Sequence, residues 1–133
     1  MNPILTLVPS AARTVNGNGD VLDLLDMVSK AGQRLSPFPP SLLVQLNITA
    51  RSGTTPTLVL VIEDSVDGGK NWSPVITFAS QNSVIVVRSQ TGIRGDAYPA
   101  GFVWPINASK IRARWTIGGT SPSFTFDVTA ALV

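Results

Sequence analysis

The chain has 133 residues, 44% of them hydrophobic and 14% charged, which suits one folded domain with a single core and leaves no room for a second. Ten Lys and Arg against eight Asp and Glu leave a net charge of +2, too small an excess for the basic stripe of a nucleic-acid-binding surface. With no Cys and no His, disulfides, the usual zinc ligand sets, thiol nucleophiles and every Ser-His or Cys-His dyad are excluded.

Residues 1–9 lack a positively charged leader segment, and their apolar run Ile4–Val8 is shorter than the roughly 7–15 residues of a secretory core, so no export signal is expected. The longest fully apolar stretch, Leu58–Ile62, is far below the roughly 18 residues that cross a bilayer. A soluble protein made in a reducing compartment is the expectation, without membrane or nucleic-acid partners. The glycosylation-like triplets at Asn47 and Asn107 are then chance matches.

In chain order, Ile4–Val8 predicts a first strand. The Gly-rich segment 11–20 that follows suggests a flexible joint, making residues 1–20 an N-terminal arm able to add a strand to a neighbour. Ile4, Leu5 and Leu7 are its candidate contacts. Between Val21 and Lys30 the apolar residues 21, 24, 25 and 28 fit a short helix as well as a strand, and Pro37, Pro39 and Pro40 end either. Leu42, Val44, Leu46 and Ile48 alternate with polar residues, as a half-buried strand requires. Thr57–Glu63 and Val84–Val87 are apolar on both faces, so each is either covered twice or lies at a contact surface. Val75–Ala79 predicts another strand. Ile111, Ala113, Trp115 and Ile117 share one face, as do Phe124, Phe126 and Val128 in the cleanest alternation of the chain.

About seven short strands separated by Gly, Pro, Ser and Asn turns predict an all-β fold, an antiparallel sandwich or jelly roll over residues 21–133. Two segments resemble each other, Gly53-Thr54-Thr55-Pro56 and Gly119-Thr120-Ser121-Pro122, each followed by an alternating strand. A recurring hairpin turn is the favoured reading and an internal repeat the other. A hairpin that set Ile117 against Phe124 would also bring Arg114 opposite Asp127.

Ser65-Val66-Asp67-Gly68-Gly69-Lys70-Asn71-Trp72 resembles the Asp-box hairpin signature found in sialidase-type propellers and in several unrelated β proteins. The chemistry it offers is local. Asp67 can accept turn amides, Gly68 and Gly69 can take positive φ, and Trp72 can fold its ring under the loop. A glycoside hydrolase needs two carboxylates about 5–10 Å apart with one pKa raised. Most of the eight acids (Asp20, Asp23, Asp26, Glu63, Asp64, Asp67, Asp96 and Asp127) sit in turns or on solvent faces, and Glu63, Asp64 and Asp67 match no familiar calcium spacing. The expectation is no enzyme, no metal and no cofactor. The segment 88–105 lacks clean alternation and mixes Arg88, Arg94, Tyr98 and Trp104 with Gly and Pro, the residue types of interface hot spots. These four join the candidate partner-binding residues.

Ala11–Gly19, Leu46–Leu58, Asp64–Trp72 and Arg112–Phe124 together resemble small β-sandwich proteins of tailed bacteriophages that decorate or cement the capsid shell. The likeness spans roughly residues 11–133. It implies a non-catalytic virion component on the capsid surface, made in the host cytoplasm, with the major capsid protein as partner and often trimeric. The alternative is a tail-associated or carbohydrate-binding adhesion module, which would use exposed Trp or Tyr as sugar platforms.

Overall fold

A computed structural model describes residues 4–23, 41–65, 67–92 and 110–132. All regular structure among them is strand: β1 (Leu5–Arg13), β2 (Gly17–Asn18), β3 (Leu22–Asp23), β4 (Ser41–Ser65), β5 (Ser73–Thr77), β6 (Val86–Gly92) and β7 (Lys110–Leu132). The all-β, antiparallel expectation holds. At residues 22–23, where helix and strand were both open, the chain is strand, while 24–30 lie outside the described residues.

The strands form one sheet centred on β4 and β7, which pair antiparallel from Leu42↔Leu132 to Ser65↔Lys110. Along the free side of β7, β1 pairs its C-terminal half and β2 and β3 its N-terminal half. Along the free side of β4, β5 pairs its C-terminal half and β6 its N-terminal half. Swapping β4 with β7 and β1–β3 with β5–β6 preserves this scheme. The pairing therefore has an approximate two-fold axis.

That axis passes through the two similar Gly-Thr-x-Pro segments, and here the structure departs from the hairpin reading. Neither segment reverses the chain. They lie opposite one another inside the long β4–β7 ladder, with Ser52↔Ser123, Thr54↔Thr120 and Thr57↔Gly118 paired and the register shifting between these positions. Gly53, Thr55, Gly119 and Ser121 have φ of 106°, 46°, 111° and 48°. A Cβ on Gly53 would lie 2.6 Å from the Ser121 carbonyl oxygen, and one on Gly119 would lie 2.7 Å from that of Thr55. Two main chains thus cross at bulges, and only Gly admits both the close approach and the left-handed backbone. The symmetry makes the likeness an internal repeat. The last buried residue before the crossing is Ile48, five positions before Gly53, in β4 and Trp115, four before Gly119, in β7, and a further register shift between Ile48 and Ala50 accounts for this one-residue offset.

The bend at the crossing brings the halves face to face. Trp115 and Phe126 belong to the same strand, yet their ring centroids are 5.5 Å apart, edge to face, where a straight strand would separate them by about 36 Å. Both long strands bury matching sets across the bend: Val44, Leu46, Ile48 then Leu58, Leu60, Ile62 in β4, and Ile111, Ala113, Trp115 then Phe124, Phe126, Val128 in β7. With Leu7, Val8, Ile76 and Phe78 they form one core.

The expected arm is therefore part of this core. β1 is paired along β7, and Leu7 is 1% exposed, because an alternating apolar strand beside an open sheet edge finds its burial within its own chain. Gly17 and Gly19 serve close packing: a Cβ on Gly17 would lie 2.5 Å from the Trp115 ring, and one on Gly19 would lie 2.6 Å from the Leu7 carbonyl oxygen. Arg114 does not pair with Asp127 either, because without a hairpin at 119–122 their ladder partners are Val61 and Asn47. Arg114 reaches Glu63, and Asp127 accepts from Asn47.

Candidate docking surface

The Asp67 loop leaves the C-terminal end of β4 and enters β5. Asp67 Oδ1 accepts from the Ser65 hydroxyl (2.7 Å) and from the amides of Lys70 (3.1 Å) and Asn71 (2.9 Å), while Oδ2 accepts from Asn71 Nδ2 (2.6 Å). Ser65 Oγ in turn accepts the Gly69 amide at 2.8 Å. Gly68 and Gly69 take φ of 79° and 95°. The Asn71 amide, the Asn71 side chain and the Ser65 hydroxyl, in that order, hold the Asp67 carboxyl down to about 2. At neutral pH Asp67 is an anchored carboxylate, with no proton to give as a general acid.

Trp72 is half-buried rather than enclosed. One face of its ring carries the Arg112 guanidinium, 4.3 Å from the centroid. Arg112 also donates through Nε to Glu63 Oε1 (3.1 Å), and Arg114 Nε approaches the same oxygen at 3.3 Å. Buried Glu63 is thus matched by two cations from the adjacent strand, which offsets its desolvation. No group of three potential metal ligands occurs among the described residues. Of the other indoles, Trp115 is buried and donates to the Val15 carbonyl at 3.0 Å. Trp115 is therefore closed to a sugar, while Trp72 has one ring face covered by Arg112.

The exposed apolar surface is elsewhere. Val84, Ile85 and Val86 are 60%, 39% and 52% exposed as they enter β6, while Val87 packs against the core. These three residues flank a ladder already made on one side: Ile85 O accepts the Ile48 amide and β6 pairs β4. Beside them lies an open depression of about 270 Å³ lined by Arg51, Thr55, Pro56, Thr57, Asn82 and Ser83. Further along β6, exposed Arg88 donates through Nε to Gln45 Oε1 at 2.8 Å.

No protein-family model and no curated protein sequence matches the chain. The assignment of a surface therefore rests on the residues themselves.

Of the candidate contacts, Ile4 is exposed, Leu5 is half-buried and Leu7 belongs to the core. Arg88 is at the surface on the same strand as Val86, while Arg94, Tyr98 and Trp104 lie outside the described residues. Val84–Val87 had two readings, covered twice or at a contact surface, and its first three residues are exposed. Sequence reasoning missed Arg51 and Asn82. A lone cation in mid-strand carries no signal until the bend of β4 brings it beside another segment.

No helix among the described residues is long and apolar enough to cross a membrane.

Proposed function

We propose that this protein is a non-catalytic structural component of a tailed-phage virion, which binds the outside of the capsid shell and stabilises it. The supporting observation is the contiguous run Val84–Ile85–Val86, exposed among the described residues on one flank of the sheet, whereas the other exposed large apolar residues, Ile4, Val15 and Val21, stand apart from one another. Exposed apolar residues in a row, edged by polar groups, are the usual mark of a protein contact. Two of the three acids weighed as a calcium set are engaged structurally, Glu63 by two arginines and Asp67 by its own turn.

The partner in this reading is the major capsid protein, and the working form is a homo-oligomer, with a trimer expected. Many modest contacts repeated on a symmetric lattice gain strength through avidity. A protein that binds the assembled shell better than its separated subunits raises the shell's stability by linkage. The arm is not part of this proposal, because Leu7 and Val8 are already buried at home.

Heat challenge of particles with and without the protein tests the reading. Survival to higher temperature only when the protein is bound supports it. Equal survival, or protein found solely on the tail, contradicts it.

A further inference from the structure

We infer that the depression beside β6 receives a carboxylate, carried on an extended acidic and apolar protein segment that lies along Val84–Val86. The inference rests on the docking role proposed above and specifies its chemistry.

The strongest observation is the state of Arg51. The other arginines among the described residues are all engaged: Arg13 donates to the Pro9 carbonyl and stacks on Trp115, Arg88 bonds Gln45, and Arg112 and Arg114 share Glu63. Arg51 is exposed and has no ion-pair or hydrogen-bond partner among the described residues, yet it lines a depression. The other polar lining is neutral and suited to an acid group: the hydroxyls of Thr55, Thr57 and Ser83 and the amide of Asn82. A guanidinium offers a planar fork of donors that fits a carboxylate in two parallel bonds.

Charge and surface then agree on the occupant. Among the described residues, Arg51 and Arg88 both adjoin the apolar run, and the carboxylate paired with this half of β4, Asp127, is held by Asn47. A basic guest would meet repulsion here, and a purely apolar one would leave Arg51 unmatched. A segment alternating apolar and acidic residues satisfies both features. Thr55 adds a fixed element: a β-branched residue held at φ 46° by the crossing cannot easily rearrange, so this wall of the depression is preformed.

A second depression, lined by Asn16, Gly17, Asn18, Arg114, Trp115 and Thr116, lacks such a cation, because its arginine already pairs with Glu63.

The test uses isotope-labelled full-length protein titrated with two capped pentapeptides, one alternating valine and aspartate and the other valine and lysine. The aspartate peptide is expected to shift the amide resonances of residues 51, 55, 57 and 82–86, and the lysine peptide to leave them in place. Arg51→Glu, with wild-type melting expected because the side chain is exposed, should reverse the preference. Arg51→Gln should weaken aspartate-peptide binding by about threefold to fivefold, the scale of one exposed charge pair. Equal response to both peptides, or an unchanged preference in Arg51→Glu, would overturn the carboxylate site. Peptide preference intact in a protein that never sediments with capsids would count against the shell reading alone.

Discussion

The two flanks of the sheet occupy equivalent places about the internal two-fold, yet they meet their surroundings differently. On the β1–β3 flank the chain closes over the core: Leu7 and Val8 are buried, Arg13 stacks on Trp115 and Phe126, Asn16 accepts the Ile117 amide, and Gly17 lets the backbone settle onto the Trp115 ring. On the β5–β6 flank Ile76 and Phe78 close the first half, but the second half opens into Val84, Ile85 and Val86. The β1–β3 flank has exposed apolar residues too, Ile4, Val15 and Val21, but these are isolated. Scattered single apolar residues are normal on any protein surface, whereas three in a row beside an unpartnered cation are not. Among the described residues, the first flank closes over the core and its counterpart leaves three adjacent apolar residues exposed.

Changes on the closed side should cost the most. Phe126→Ala removes a fully buried ring that packs edge-on against Trp115, and is expected to destabilise the fold by about 3–5 kcal/mol in chemical denaturation. Gly17→Ala should follow at about 1–3 kcal/mol, since the new Cβ would lie 2.5 Å from a ring that is itself held in the core. A wild-type midpoint for Gly17→Ala would show that this flank is loosely seated and erase the contrast. The Asp67 loop should respond to pH. Its folded pKa lies below the ordinary 3.8, so its contribution is complete above about 4 and lost as pH falls through about 2. The melting temperature of the wild type should therefore fall more steeply over that window than that of Asp67→Asn.

Much of the framework was legible because alternation with period two survives any detail of topology. Leu42–Ile48, Ile111–Trp115 and Phe124–Val128 bury the faces their pattern assigns to the core. The Asp67 turn was legible for a similar reason, since its hydrogen bonds span at most four residues. Long-range facts were not. Gly and Pro at residues 53–56 and 119–122 carry the same local signature in a hairpin and in a bulged crossing, and only the partner strand decides between them. Gly17 and Gly19 read as freedom in the sequence because the Trp115 ring and Leu7 carbonyl they accommodate come from distant segments or through a bend. Arg51 was invisible as a site residue for the same reason: its depression combines side chains from β4 with residues 82 and 83 across the flank.

The difference between the flanks is tested most directly by capsid co-sedimentation of a Val84→Ser, Val86→Ser double variant beside wild type, with thermal melts of both. Exposed positions outside packed features usually change stability by less than about 0.5 kcal/mol each, so the melts should nearly coincide. A docking role for the open flank requires that wild type pellets with capsids and the double variant stays in the supernatant. Equal pelleting of two equally stable proteins would contradict it.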